Sequence, residues 1–216
     1  SPSTSSPSPT KRPPSSSKPL FHNFSLHLPA GKHVAIMGGI GSGKTTLAHL
    51  LMKLRCPTSG TITFNGTPID QLPTAVVRQT VHYVPQHPRL FNRTLWENIV
   101  YGNPDTTLTD TRVYTLLESL QLHDVLRVFR QKMHQPVGKQ GSLLSGGQRQ
   151  IVVLLRAVFN THAKVLILDE PTSALDETSR DQVLKLVGEV AKGRTLVVIT
   201  HDSGLVGMTE GVIRLG

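Results

Sequence analysis

The run His33-Val34-Ala35-Ile36-Met37, continued by Gly38-Gly39-Ile40-Gly41-Ser42-Gly43-Lys44-Thr45-Thr46, limits the fold more than any other stretch of the chain. An apolar segment turns through glycines into an amphipathic one, which reads as strand, loop and helix. From Gly38 the spacing is G-x-x-x-x-G-K-S/T, the pattern of a phosphate-binding loop (P-loop). Glycines let a backbone wrap closely around a polyphosphate with its N–H groups pointing inward, and the following helix adds its positive N-terminal end. Lys44 would reach the β- and γ-phosphates, and the Thr45 hydroxyl would be a ligand of Mg²⁺. Leu47, Leu50, Leu51 and Leu54 then fall at helical spacing, and this helix is expected to stop at Cys56-Pro57-Thr58-Ser59-Gly60.

A chain of 216 residues is long enough for one sizeable α/β domain, with room for an inserted subdomain. It opens on Ser rather than Met, so it is read as a fragment or processed piece. No apolar run approaches the ~18 to 20 residues that cross a bilayer, and no signal-peptide pattern opens the chain, so a soluble piece is expected. The single cysteine, Cys56, excludes an internal disulfide and reads as a small apolar filler at a helix end. The net charge is +9, to which the tail residues Lys11, Arg12 and Lys18 contribute. The other basic residues are scattered, with no basic stripe interleaved with aromatics, and no nucleic acid is expected as a partner.

Ser1 to Pro19 is almost entirely Ser, Pro and Thr, a composition that cannot bury enough apolar surface to offset the entropy of ordering, and disorder is expected there. Alternation over Leu20 to Leu28 predicts a half-buried strand. Thr61 to Gly66 reads as a short strand and turn, and Val81-His82-Tyr83-Val84 as a strand ending on Pro85-Gln86. Thr94-Leu95-Trp96-Glu97 has capping-box spacing. Helical patterns such as Val113 to Leu120 follow, and about residues 94–160 read as a helical insertion with Trp96 in its core. Leu144-Ser145-Gly146-Gly147-Gln148 opens an apolar helix over Ile151 to Phe159, with Ser145 a natural N-cap and the glycines exposing first-turn amides to an anion. Val165-Leu166-Ile167-Leu168 before Asp169-Glu170, and Leu196-Val197-Val198-Ile199 before Thr200-His201, are uninterrupted apolar runs, as in central parallel strands covered on both faces.

Apolar runs thus end in the P-loop, in Gln86, in Asp169 with Glu170, and in His201. Ligands of open parallel sheets sit outside the carboxyl ends of the strands, so these groups can converge on one phosphate chain. Here the sequence resembles the ATP-binding cassette (ABC) ATPases over nearly all of Leu20 to Gly216. Leu144-Ser145-Gly146-Gly147-Gln148 is similar to the family's signature, Glu170 to its catalytic glutamate, Ser173-Ala174-Leu175-Asp176 to its D-loop, His201 to its switch histidine and Gln86 to its Q-loop glutamine.

The resemblance implies an α/β fold, a P-loop NTPase core with a mostly parallel sheet, a small antiparallel β subdomain and the inserted helical subdomain, with residues 20–216 as the nucleotide-binding domain. It implies ATP and Mg²⁺ as ligands, with Asp169 holding the metal and Thr45 and Gln86 completing its surroundings. Glu170 would orient and polarise the attacking water, and Lys44 and His201 would contact the phosphates and the developing charge. Ser145, Gly146, Gly147 and Gln148 would bind the γ-phosphate of ATP held by a second, facing nucleotide-binding domain.

Tyr83 to Ile99 looks like the Q-loop region of ABC exporters, and Val137-Gly138-Lys139-Gln140-Gly141 is similar to the segment that touches the membrane domain in exporters. The resemblance therefore implies a transmembrane domain as partner, with the ATPase domain on the cytoplasmic face of a membrane. A soluble non-transport ABC ATPase, or an ATP-dependent regulatory module, is the alternative reading. Three departures stand out. Gln135-Pro136 and Lys139 occupy positions where exporters have Thr-Glu and Glu. Ile151 stands where the signature is usually followed by Arg. The aromatic that stacks on adenine is missing around Arg12-Pro13, which predicts a loosely held base.

Overall fold

The computed structural model describes residues 25–55 and 59–215. The expectations placed on Ser1 to Pro19, on Arg12-Pro13, on Leu20 to Phe24 and on Cys56 lie outside those residues. In chain order the elements are β1 (Leu26–Leu28), β2 (His33–Gly38), α1 (Lys44–Leu51), β3 (Ile62–Phe64), β4 (Thr67–Pro68), α2 (Thr74–Thr80), β5 (Val81–Val84), α3 (Leu95–Ile99), α4 (Asp110–Ser119) and α5 (His123–Lys132). They continue as α6 (Gly146–Phe159), β6 (Val165–Asp169), α7 (Glu177–Ala191), β7 (Thr195–Ile199), α8 (Ser203–Gly207) and β8 (Gly211–Leu215).

Five strands form one sheet in the order β5-β6-β7-β2-β8, and every pairing in it is parallel. Period-two alternation along its central strands serves two cores at once. Leu166, Leu168, Leu196 and Val198 join a core closed by α3 to α7, whereas Ile167, Val197 and Ile199 join one closed by α1 and the smaller sheet. Double-sided burial is why β6 and β7 read as continuous apolar runs; every residue of both strands is buried. Because all five strands run the same way, every loop that follows a strand opens on one edge.

The smaller sheet is antiparallel along β3–β4, a hairpin closed by Asn65 and Gly66 at φ 47° and 81°. β1 adds to β3 in parallel, Leu26 opposite Ile62. Among the described residues the insertion from Thr94 to Asn160 holds helices and no strand. It opens on the predicted capping box: the Glu97 N–H donates to Thr94 Oγ1 at 3.1 Å, and the Thr94 N–H donates to the Glu97 carboxylate at 2.9 Å. Trp96 packs half-buried against the larger core.

One boundary differs from expectation. α1 stops at Leu51, and Leu54 is exposed rather than on the buried face. The Leu54 N–H bonds to the His49 carbonyl at 2.9 Å and the Lys53 N–H to that of Leu50 at 3.0 Å, with Lys53 left-handed at φ 53°. That paired closure satisfies the terminal carbonyls and turns the chain out, here without the glycine that usually marks it.

One arginine ties the insertion to the sheet and another ties two of its helices together, neither with a carboxylate partner among the described residues. Arg194 donates to the carbonyls of Ala157, Val158 and Asn160 at 2.7, 3.0 and 3.3 Å, closing the end of α6, and Arg156 donates to the Asn98 carbonyl at 2.8 Å. His82 of β5 lies near both, and burial, then Arg156 and Arg194, hold its pKa at about 4 against an ordinary 6.5. Between those pH values the unfolded chain binds the extra proton, so stability is intact above pH 6.5 and falls as pH drops toward 4. The unfolding free energy from urea titrations is expected to fall across that window by up to ~3 kcal/mol, and His82→Gln to flatten the profile; an unchanged profile in the variant contradicts this.

Candidate nucleotide site

The loop after β2 is built by steric necessity. A Cβ on Gly38 would stand 2.5 Å from Ser42 Oγ and 2.7 Å from the Leu215 carbonyl, so only glycine fits beneath the loop. Gly41 and Gly43 are left-handed at φ 81° and 94°, and Gly43 is the N-cap of α1. Gly39, Gly41, Ser42, Gly43, Lys44, Thr45 and Thr46 line a cavity of about 300 Å³ at this end of the helix. The first-turn amides of α1 have no acceptor within the helix. Ser42 Oγ is buried with no hydrogen-bond partner among the described residues. The Lys44 ammonium folds over the loop and donates to the Gly38 carbonyl and, at 3.0 Å, to that of Gly39. Ile40 is fully exposed at the rim.

The neighbouring strands deliver the remaining groups to the same edge. Asp169 ends β6, buried, and accepts from the Tyr83 hydroxyl at 2.9 Å. Burial, then Asp169, push the Tyr83 phenol well above its ordinary pKa. Glu170 is left-handed at φ 44°, an uncommon conformation for a side-chain-bearing residue. Its N–H donates to the Ile199 carbonyl at 2.8 Å and its own carbonyl accepts from Ser173 Oγ at 2.9 Å, which hold the turn. The Glu170 carboxylate is raised in pKa by burial, opposed by His201 and Lys44. The His201 ring lies with Nε2 at 3.5 Å from Glu170 Oε1, itself largely exposed. The loop therefore brings Lys44, Glu170 and His201 within electrostatic reach of one another.

Gln86 joins this group indirectly: its amide donates to Ser173 Oγ at 3.2 Å, and Ser173 donates to Glu170. The turn after His201 is pinned by Arg180, whose guanidinium grips both Asp202 oxygens at 2.6 and 2.8 Å. That bond, first among its causes, holds Asp202 at a pKa of about 2. Tyr83, Ser173 as a relay, and Arg180 escaped the sequence reading. Tyr83 was visible as a strand residue two positions before Pro85, but only the pairing of β5 with β6 shows what its hydroxyl meets.

Ser145 and Gln148 cap α6 reciprocally, the Gln148 N–H donating to Ser145 Oγ at 3.1 Å and the Ser145 N–H to the Gln148 side-chain Oε1 at 3.0 Å. Ser145 and Gly146 are exposed, whereas Gly147 is buried, and a Cβ there would meet Ser179 Oγ at 2.6 Å. Gly147 thus sets the close approach of α6 to α7. Ile151, where an Arg is usual, is fully buried in the larger core. None of the residues Leu144 to Gln148 lines the P-loop cavity of their own chain.

The family model described as ABC transporter matches residues 21–173. The chain is 38% identical over 182 residues to ABC transporter B family member 19 of Arabidopsis thaliana, covering 84% of this chain and 14% of that protein. It is 37% identical over 183 residues to the ATP-dependent lipid A-core flippase of Saccharophagus degradans, covering 85% of this chain and 31% of that one. Among solved structures it resembles a bacterial Atm1-family ABC exporter with ATP bound, at a TM-score of 0.75 and 31% identity, over 88% of this chain and 32% of the other. The chain spans about a third or less of the length of these relatives. The chain belongs to the ABC transporter family and is an ATP-binding, ATP-hydrolysing domain of it, similar to that of an ABC exporter.

Proposed function

We propose that two copies of this domain, or this domain and a like one, hold ATP between them, and that its hydrolysis powers export through a membrane-spanning part on whose cytoplasmic side the domain sits. The observation that carries the reading is the split of the machinery. Lys44 lines the P-loop cavity, with Glu170 in electrostatic reach of it and of His201, while the exposed Ser145 end of α6 lines no part of that cavity. A facing copy would supply that end, placing Ser145, Gly146 and the α6 dipole against the γ-phosphate.

The residues fit the polyphosphate and its metal. The partnerless Ser42 hydroxyl and the first-turn amides offer donors that the protein itself does not use. Among the described residues no three His, Cys, Asp or Glu converge as a metal cage, which suits Mg²⁺, a cation that keeps waters and phosphate oxygens and takes few protein ligands. Thr45 and Asp169 would hold it, with Gln86 beside them, and it supplies charge neutralisation on the phosphate oxygens.

The chain's own contribution is positioning. P-loop amides and Lys44 fix the phosphate chain, and His201 contacts the terminal phosphate. Glu170, its pKa raised by burial, accepts the proton as a water oxygen bonds to the γ-phosphorus and the bond to the bridging oxygen breaks, giving ADP and phosphate. Loss of the γ-phosphate removes what the two copies share, and they part. The Gln86–Ser173–Glu170 link ties that event to the surface after β5. Turnover per copy is expected to rise with protein concentration and then level off; a rate per copy that stays constant on dilution would overturn the shared site.

A further inference from the structure

We infer that the surface formed by Leu90–Thr94 and Pro136–Gln140 receives an acidic segment of the membrane-spanning part, with Lys139 and Arg89 taking its carboxylates. This rests on the proposed transport role and adds the chemistry of the element that meets the domain.

The two segments run antiparallel in one register, with bridges Leu90↔Gln140 and Thr94↔Pro136 and a 3.0 Å bond from the Val137 N–H to the Arg93 carbonyl. In that register Lys139 stands opposite Phe91. Fully buried Asn98 fixes the ribbon from beneath: its amide donates to the Phe91 and Thr94 carbonyls at 3.0 and 2.9 Å, and its oxygen accepts from the Phe91 N–H at 2.9 Å. The Phe91 and Tyr101 rings pack at 4.3 Å with Arg156 at 5.9 and 5.4 Å from their centroids, yet they remain 42% and 54% exposed. An aromatic pair held this firmly in the open is suited to a partner.

The charge around it has one sign. The Arg89 and Lys139 side chains are exposed and make no ion pair or hydrogen bond among the described residues. Among the described residues the Arg156 side chain bonds only to the two oxygens of Asn98 and, with Arg89, Tyr101 and His82, lines a cavity of about 280 Å³. From Arg89 to Tyr101 and from Pro136 to Leu143 the only carboxylate is Glu97, which is engaged by Thr94 and Arg93. Unpaired cations beside a desolvating aromatic surface favour a carboxylate-bearing segment and penalise a basic one.

The test uses the full-length protein. A zero-length carbodiimide, which joins a carboxylate to an amine in direct contact, is expected to link Lys139 to an Asp or Glu of the membrane-spanning part, identified by mass spectrometry. Arg89→Glu is expected to cut that yield by about fivefold or more, through repulsion of the same segment. In parallel, Tyr101→p-benzoylphenylalanine reports docking by photochemistry, whatever the charge of the segment. Photocapture of the membrane-spanning part with no carboxylate found at Lys139 would overturn the acidic segment and leave the transport reading standing; failure of both probes would overturn the two together.

Discussion

Glu170→Gln is expected to lower turnover by about 10²- to 10⁴-fold while leaving ATP affinity nearly unchanged, and to accumulate an ATP-bound pair of domains. The amide keeps the size and hydrogen-bonding reach of the carboxylate but cannot accept the proton of the attacking water. Little else should move. The turn at Glu170 is held by main-chain bonds to Ile199 and Ser173, which the substitution leaves in place. Removing a charge that burial disfavours also costs the fold nothing it depends on, since burial is the leading influence on this carboxyl group. Single-turnover hydrolysis and nucleotide binding measured on the same preparation check this. Parent-rate hydrolysis by the variant would remove Glu170 from the role of base.

The second large effect separates the two halves of the site. Lys44→Ala removes the ammonium that spans the P-loop and is expected to cut nucleotide affinity and turnover by about 100-fold or more, as loss of a charge-assisted contact to phosphate. Ser145→Arg is expected to cut turnover as deeply while nucleotide still binds the P-loop of the same chain, because Ser145 lies outside that cavity. Its cost to the fold is bounded: a lost N-cap is worth about 1 kcal/mol, and Ser145 is exposed, so the larger side chain has room. Equilibrium binding of a fluorescent ATP analogue distinguishes the two variants. Loss of binding in Ser145→Arg as severe as in Lys44→Ala would argue that the signature end acts within its own chain.

The sequence carried those features whose cause is local. Continuous apolar runs marked β6 and β7 because both faces are buried, and hydroxyl-to-carboxylate spacing marked the cap at Thr94 because it closes within four residues. The P-loop was legible for the same reason: its glycines answer a backbone requirement set within the loop and by one neighbouring strand. What escaped depends on neighbours distant in sequence. The end of α1 is set by Lys53 in a left-handed conformation, without the usual glycine. β8 escaped because its five residues include a glycine and an arginine and form no long apolar run, and its place beside β2 is set by residues far off in sequence. The Tyr83–Asp169 bond exists only because β5 lies beside β6, and Gly147 looked like an anion cradle although its missing Cβ also lets α7 approach.

The most direct measurement of the split site mixes Lys44→Ala with Ser145→Arg, each inactive alone. A mixed pair then contains one intact site, made from the P-loop of the second and the signature end of the first. With random pairing and independent sites, an equal mixture is expected to recover about a quarter of the parent activity. A mixture that stays as inactive as its components would contradict the account.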